Sequence, residues 1–248
     1  MQQSVDNSLF SRTYYLTPGE CSAEQEMPFA LLVNRLIEVA TLHADSWGVG
    51  YRRLSRDNQA WVLSRMAVEM TAFPRVGANY TVRTWIESYN RHFSERNFEI
   101  VDDEGATLGY ARTIWSVIDS TTRQSCDIAA LGFIKSNIAD RHCPIASPER
   151  VRNVEHRRTA EYTFLYTDID FNRHVNTVRY ICALLNAWQL DWYEYHRISR
   201  FDIAFVKEAY FGQKAMIAVD DADPLCCPAE IVVDSEPVCK AKIIFQQR

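Results

Sequence analysis

Glycine is scarce in this chain. Eight glycines among 248 residues are fewer than half of what the usual ~7% would give. The phosphate-binding loops that need glycine are not completed either. Gly48-Val49-Gly50 is followed at the third position by Arg53 instead of glycine, and the sequence contains no GK[ST] motif. Neither a dinucleotide fold of the GxGxxG type nor a P-loop is therefore expected.

Several other sequence features are missing. No stretch approaches eighteen apolar residues, and the first ten residues have neither a charged nor an apolar region of the kind found in signal peptides. The seven cysteines form no CxxC pair, and the adjacent Cys226 and Cys227 are poorly placed to chelate a metal. No GxSxG or HExxH motif occurs. We expect a cytoplasmic protein with reduced thiols.

The charge balance bears on possible partners. Twenty-seven basic and 32 acidic residues give a net charge of -5, which disfavours a dedicated nucleic-acid binder. Hydrophobic residues make up 47% and charged residues 24% of the chain, values near the averages for globular proteins. The aromatic content of 12% is sufficient for a substantial core or an apolar cavity.

The sequence pattern divides the chain into two similar halves. Each half combines a helical pattern, with apolar residues three and four apart, and strands with two-residue alternation. The predicted helices are residues 29–46 and 174–195. The predicted strands are residues 60–71, 79–88, 93–101, 108–119, 160–166, 199–206, 214–220, 230–234 and 238–246. Residues 141–158 contain two prolines without apolar periodicity and are interpreted as a linker between domains at 1–140 and 159–248.

A weak internal repeat supports this division. Residues 98–101, a turn and residues 111–115 resemble residues 229–232, a turn and residues 241–245. In both sets an apolar strand leads into an acidic turn, and a small, basic and apolar strand follows. A duplicated unit, in which a helix is wrapped by a bent antiparallel sheet, explains the pattern best.

The densest polar cluster lies at residues 167–176. Its Asp-x-Asp-x-Asn opening resembles a calcium loop, but Arg173 and Arg179 replace the required glycine and glutamate. One interpretation is that these residues only turn the chain and cap the next helix. The other is an active site, because a helix start offers N–H groups that can polarise a carbonyl and hold an oxyanion.

The cluster also carries a family resemblance. Residues 170–176, followed by Arg179-Tyr180, resemble the signature of acyl-acyl carrier protein thioesterases. The first half is similar to that family at residues 61–66, 73–74, 84–85, 96, 113–116 and 122–123. The likeness covers roughly residues 10–245. It implies an α+β tandem (double) hotdog fold, with two long helices each wrapped by a bent antiparallel sheet. It further implies a catalytic second half and a first half that houses the acyl chain.

The same resemblance implies the catalytic residues. They are Asp170, Asn172 and His174, with Glu208 on a strand further along. Glu208 and His174 would activate a water, Asn172 would position the water or the carbonyl, and Asp170 would hold Asn172. N–H groups of the helix start near His174 would bind the oxyanion. Ala209 stands where plant members carry a cysteine, so a covalent mechanism at that position is excluded. The reaction requires no metal or organic cofactor.

Residues that contact the acyl chain are harder to predict. Trp61, Trp85 and Trp115 are most simply core residues, but the resemblance makes them, with Arg65 and Met66, candidates for the wall of an acyl tunnel. His43 and Cys182 are interpreted as structural. Two alternatives stay open, an acyl-CoA thioesterase on the same fold and a non-catalytic acyl-binding module. The retained polar residues argue against the second.

The implied partner is acyl carrier protein. Because that protein is acidic and this chain is also net acidic, docking requires a local basic patch. The linker offers Arg141, Arg150, Arg152, Arg157 and Arg158 against Glu149 and Glu155. The alternative is a merely solvated linker. We expect neither nucleic-acid binding nor membrane insertion, and the sequence leaves homo-oligomerisation open.

Overall fold

The strands of the protein form one antiparallel sheet, which curves around the helices. The computed structural model describes residues 7–132, 137–151 and 154–248. The strands are β1 (Leu9–Tyr15), β2 (Gln59–Met70), β3 (Asn79–Tyr89), β4 (Ser94–Asp102), β5 (Thr107–Asp119), β6 (Arg158–Thr163), β7 (His196–Phe205), β8 (Lys214–Val219), β9 (Cys226–Val233) and β10 (Glu236–Gln247). The α-helices are α1 (Phe29–Ser46), α2 (Tyr51–Leu54), α3 (Thr177–Leu185) and α4 (Leu190–Tyr195).

The strand order shows the duplication directly. Across the sheet it is β1-β3-β4-β5-β2-β7-β10-β9-β8-β6, so the second half repeats the first in mirror order about the β2–β7 pair. Phe98 pairs with Ala111 in the first half and Ala229 pairs with Ala241 in the second, the positions that the sequence repeat aligns. This arrangement confirms the predicted tandem hotdog fold.

The two halves are joined at the centre of the sheet. There β2 and β7 pair antiparallel from Arg65 opposite Ala204 to Glu69 opposite Arg200. The sheet therefore continues from one half into the other without a break. The domain limits of 1–140 and 159–248 stay a prediction.

Helix α1 has the predicted limits. Its buried side chains, which include Leu32, Leu36 and Val39, recur at three- and four-residue steps and pack in the main core. His43 on the same face is also buried, and its Nδ1 lies 2.9 Å from a guanidinium nitrogen of Arg96. Burial, with the charge of Arg96, lowers the pKa of His43 to about 4, so this histidine is a neutral core residue.

The predicted helix at residues 174–195 is wrong in two respects. It begins only at Thr177, because the Asn176 side chain accepts the Val178 N–H at 2.8 Å and caps the helix there. It also ends at Leu185 and resumes as α4 at Leu190. The break turns Trp188 onto the ring of Phe245, with centroids 5.1 Å apart. A single straight pattern from His174 onward does not reveal that turn.

Several strands also differ from prediction. For example, β9 begins at Cys226 instead of residue 230. Strand β1 is missed because it is an edge strand, paired only with β3, and most of its residues are exposed, so it has no clear alternation. Strand β6 ends at Thr163 instead of continuing to residue 166. The chain turns there because the carboxylate of Asp168 accepts the Leu165 N–H at 2.8 Å.

The predicted linker is a packed strap in the part that the structure describes before residue 152. Trp85 donates its indole N–H to the Arg141 carbonyl at 2.7 Å, and the Arg141 guanidinium lies 4.2 Å over the Trp85 ring. Cys143 and Ile145 are buried with Trp85 in a small cluster that is separate from the core around α1. Side chains alternate between the two faces of a strand, and Trp85 lies on the face that does not contribute to the core around α1. The strap packs on Trp85 and therefore covers the face of the sheet that points away from the helices.

No helix in the described ranges is both long enough and apolar enough to span a membrane. The cytoplasmic location stays a prediction.

A buried ion pair ties the strap to the centre of the sheet. Arg200 donates to both oxygens of Asp202, at 2.6 and 2.8 Å. Asp202 is fully buried and also accepts the Glu149 N–H of the strap at 2.8 Å. We expect Asp202→Ala to lower the free energy of unfolding by about 3–5 kcal/mol, because the buried guanidinium then keeps only the more exposed Glu69 as an ionic partner.

Urea denaturation followed by circular dichroism measures this loss. The control is Glu155→Ala, which removes the exposed partner of Arg157 and should cost less than about 1 kcal/mol. Similar losses of unfolding free energy in the two variants would show that the buried ion pair stabilises the protein no more than an exposed one.

Candidate active site

The polar cluster forms a tight loop before α3. The Asp170 N–H donates to the His174 carbonyl at 2.8 Å, and the Arg173 N–H donates to the Asp170 carbonyl at 3.0 Å. Arg173 closes the turn in the left-handed region, with φ of 68°. Asp170 Oδ1 accepts the N–H of Asn172 at 2.8 Å and that of His174 at 3.4 Å. Asp170 therefore holds Asn172 through its backbone.

Glu208 is predicted to lie on a strand. It lies instead in the loop that follows β7. Two backbone contacts bring this loop to the histidine. Val175, next to His174, donates its N–H to the Ala209 carbonyl at 2.8 Å, and the Ala209 N–H donates to the Tyr180 hydroxyl of α3, also at 2.8 Å. As a result, His174 Nδ1 lies 3.3 Å from Glu208 Oε1.

Two further side chains reach Glu208. Arg123 forms an ion pair with Oε1 of Glu208, and the Tyr210 hydroxyl donates to Oε2 at 3.3 Å. The Tyr210 ring also meets the His174 ring edge-on, with centroids 5.1 Å apart. Arg123 belongs to the residues of the family resemblance, and Tyr210 is not among the predicted site residues. No sequence pattern links Arg123 to a carboxylate 85 positions away.

Arg123 comes from the first half of the chain, from the turn that follows β5. The turn is built on Asp119, whose carboxylate accepts the N–H groups of Thr121 and Thr122 at 2.9 and 2.7 Å. Arg123 has φ of 61° and donates its own N–H to the Asp119 carbonyl. The site therefore contains side chains from both halves.

The surroundings of His174 keep the imidazole neutral. Burial lowers the pKa of His174 below its ordinary value, and the charge of Arg123 lowers it further, while Asp170 partly opposes them. Because Glu208 faces Nδ1, the proton of the neutral ring is assigned to that nitrogen. Nε2 is then the free basic atom.

Most N–H groups of the helix start already have acceptors. Those of Val175 and Asn176 donate to backbone carbonyls, and that of Val178 donates to the Asn176 side chain. The Thr177 N–H donates no hydrogen bond to the described residues. The Thr177 N–H and the side-chain amide of Asn172 stay candidates for the predicted oxyanion site.

A cavity of about 830 Å³ connects the polar loop to the first half. Asp170, Asn172, His174 and Glu208 all line it. Its further walls come from both halves and include Ala40 and Ala44 of α1, Leu54, Trp61 and Trp115. A mainly apolar cavity of this size, with a few polar groups at one place, is typical of a small-molecule site.

Of the five predicted acyl-contacting residues, Trp61 and Trp115 line the cavity. Arg65, Met66 and Trp85 do not. Strand β2 shifts register between Leu63 and Arg65, so the alternation that follows Trp61 is reversed. Met66 is consequently buried in the main core and Arg65 is exposed, while Trp85 packs under the strap. Contact with substrate stays a prediction for Trp61 and Trp115.

The first half contains the same loop without the acid–base pair. The Met27 N–H donates to the Pro74 carbonyl just as Val175 donates to Ala209. By this equivalence, Glu26 takes the place of His174 and Phe73 takes that of Glu208. Glu26 is buried and paired with Arg75 and Arg248. In the described parts of both halves, a histidine meets a carboxylate at this point only in the second.

Burial disfavours the thiolate at three of the cysteines. Burial raises the pKa of Cys143 to about 11 and that of Cys227 to about 12, and it also raises the pKa of Cys182 on α3. High pKa values disfavour the nucleophilic thiolate. Within the described residues, no three His, Cys, Asp or Glu side chains are grouped to hold a metal ion.

Comparison with known proteins assigns the family. The sequence profile of the acyl-ACP thioesterase N-terminal domain matches residues 7–130, and that of the C-terminal domain matches residues 151–247. A solved acyl-ACP thioesterase from Bacteroides thetaiotaomicron is 34% identical, with a TM-score of 0.92 over 98% of this chain and 100% of that chain. The chain belongs to the acyl-ACP thioesterase family.

Curated plant proteins are more distant. The palmitoyl-acyl carrier protein thioesterase of Gossypium hirsutum is 26% identical over 217 residues, which is 82% of this chain and 52% of the relative. The dodecanoyl-[acyl-carrier-protein] hydrolase of Cinnamomum camphora is 25% identical over 81% of this chain and 56% of the relative. This chain thus spans about half the length of the curated relatives it matches.

The geometry makes a prediction about the charge on His174. Replacing Arg123 by glutamine should raise the pKa of His174, since a cation beside the imidazole is lost while the carboxylates of Asp170 and Glu208 remain. The Tyr210 hydroxyl is the fourth polar group at the ring. NMR titration of the His174 ring, assigned by its loss in His174→Gln, measures the shift.

Arg123→Lys, which keeps the charge, should titrate close to wild type. Arg91→Gln removes an exposed arginine elsewhere and controls for net charge. An unchanged His174 titration in Arg123→Gln would contradict the charge coupling.

Proposed function

We propose that this protein hydrolyses fatty acyl thioesters of acyl carrier protein to free fatty acid and carrier, which ends chain elongation. The observation that carries the proposal is the His174–Glu208 pair, 3.3 Å apart, on the wall of an apolar cavity of about 830 Å³. Membership of the acyl-ACP thioesterase family supports it. In this proposal the acyl chain lies in the cavity toward Trp61 and Trp115.

The proposed reaction is a general-base attack by water. His174 Nε2 removes a proton while the water oxygen bonds to the thioester carbonyl carbon, and Glu208 stabilises the imidazolium that forms. The tetrahedral intermediate then collapses as the C–S bond breaks. The leaving thiolate takes the proton from His174, so the base is restored and no covalent enzyme intermediate is formed.

The other polar residues have supporting roles. The Asn172 amide and the Thr177 N–H are the donors proposed for the developing oxyanion. Asp170 holds the backbone of Asn172 and His174. Arg123 compensates the Glu208 carboxylate and keeps His174 deprotonated, so that the ring can accept a proton at neutral pH. No step of this mechanism uses a thiol.

The central prediction concerns the acid–base pair. His174→Ala and Glu208→Ala should each lower kcat for thioester hydrolysis by ~10²–10⁴, because each removes part of the general base. Asp170→Asn should cost less, since the amide oxygen still accepts the two N–H bonds. Thiol release from an acyl thioester measures turnover, and circular dichroism checks the fold.

The matched control is His142→Ala. This histidine also contacts a glutamate, Glu87, but its side chain is 91% exposed, and it lies on the strap away from the cavity. A control variant as slow as His174→Ala would show that loss of activity at His174 does not report on the base.

The cysteines provide a separate test. Each of the seven single Cys→Ala variants should retain wild-type turnover, because the mechanism uses water as nucleophile. Variants at the buried Cys143, Cys227 and Cys239 are expected to lose some stability. The same thiol-release assay measures the turnover of each variant. A folded Cys→Ala variant without activity would overturn the water mechanism.

A further inference from the structure

Exposed aromatic rings stand at the entrance of the cavity. Tyr51 of α2 and Phe171 of the polar loop line the cavity, although their exposed fractions are 59% and 72%. Their rings meet edge-on with centroids 5.2 Å apart, so the contact bridges the two halves of the chain. Val206, which is 53% exposed, lines the cavity too. We call Tyr51, Phe171 and Val206 the entrance rim.

Cationic side chains flank the entrance rim. Arg52 and Arg56 follow Tyr51 in the chain, and Arg173 follows Phe171. All three residues are exposed, and none forms an ion pair with a carboxylate of the described residues. Two other cations nearby are neutralised within the chain, since Arg53 pairs with Asp57 and Lys207 with Glu236.

The acidic groups near the entrance rim do not cancel this charge. Asp45 lies beside Gly50 at the start of α2. Glu208 is already paired with Arg123, and Asp170 accepts two backbone N–H groups. Three arginines against Asp45 leave a positive surface on a chain whose net charge is -5.

The basic linker is a poorer docking surface than its sequence predicts. Arg141 pairs with Glu99, Arg157 with Glu155 and Asp220, and Arg158 with Asp221. Arg150 is exposed, and Arg152 lies outside the described residues.

The position of the strap is a second obstacle. The strap covers the face of the sheet opposite the helices, whereas α1 and the polar loop line the cavity. A carrier docked on that face would have the sheet between its thioester and His174.

We propose that the entrance rim, with Arg52, Arg56 and Arg173, is the docking surface for the acidic carrier protein. This inference rests on the proposed function, because the thioester of a docked carrier must reach the His174–Glu208 pair. Carboxylates of the carrier meet the three guanidinium groups. The phosphopantetheine arm of the carrier, which bears the acyl chain, passes over Tyr51 and Phe171. The exposed rings of these two residues cover the apolar part of the arm.

Charge reversal on α2 tests the proposal. Arg52→Glu/Arg56→Glu changes two exposed residues that belong to neither the acid–base pair nor the cavity wall. It should raise KM for an acyl chain on carrier protein about tenfold or more at low salt, with a smaller effect at high salt. The same chain on N-acetylcysteamine, a small uncharged thiol, should be hydrolysed as by wild type.

The matched control is Arg91→Glu/Arg150→Glu, which changes the net charge equally at exposed positions away from the entrance rim. It should behave as wild type on both substrates. Equal losses on both substrates for the α2 variant would mean that α2 supports the site instead of docking the carrier. Unchanged carrier kinetics would place docking elsewhere. Either result overturns the proposal.

Two further outcomes are distinguishable. The third substrate is the same acyl chain on coenzyme A. If KM of the α2 variant rises as much for acyl-CoA as for the acyl carrier protein, the arginines recognise the phosphopantetheine phosphate that both substrates share. The assignment to a protein partner is then wrong. If the wild-type protein hydrolyses none of the three thioesters, the proposed function itself fails. Hydrolysis of the small thioester by wild type separates this case from the others.

Discussion

The pairing of β2 with β7 is the interaction on which the rest of the structure depends. It joins two copies of one folding unit edge to edge, so that neither central strand presents unpaired N–H and C=O groups to solvent. The pairing also sets the position of each half relative to the other. The turn after β5 in the first half thereby comes next to the loop after β7 in the second, where Arg123 meets Glu208.

That junction places opposite charges beside His174. A carboxylate alone beside His174 would raise the pKa of the imidazole and favour its protonated form. Burial disfavours the imidazolium and the charge of Arg123 adds to this effect, so the pKa of His174 is lowered instead. Glu208 Oε1 lies 3.3 Å from Nδ1 of the ring. The second half supplies the histidine and the carboxylate, and the first half supplies the arginine beside them.

The duplicated fold allowed the two halves to differ in chemistry. The backbone bonds Met27–Pro74 and Val175–Ala209 occupy equivalent positions, so the loop geometry is the same in both. In the first half, the side chains at that point are Phe73 and a Glu26 that is neutralised by two arginines. The two halves therefore have the same backbone geometry at this loop but different side chains. Both halves line the apolar cavity, whereas the polar groups lie together at one end of it.

The sequence by itself determined the elements whose burial follows a regular period. Helix α1, the strands of each half other than β1 and the duplication could be predicted, because a buried face repeats every 3.6 or 2 residues whatever it packs against. The Asp-x-Asn-x-His spacing likewise indicated a site, because the loop that presents these side chains is closed by local backbone bonds.

Tertiary structure decided whatever depends on contacts between distant segments. The register shift in β2 turned Met66 into the core and Arg65 to solvent, and the packing of Trp188 interrupted the second helix. The strap covered Trp85, and Arg123 reached Glu208 only across the junction of the two halves. None of these contacts has a period along the chain, because each joins segments that only the folded sheet brings together.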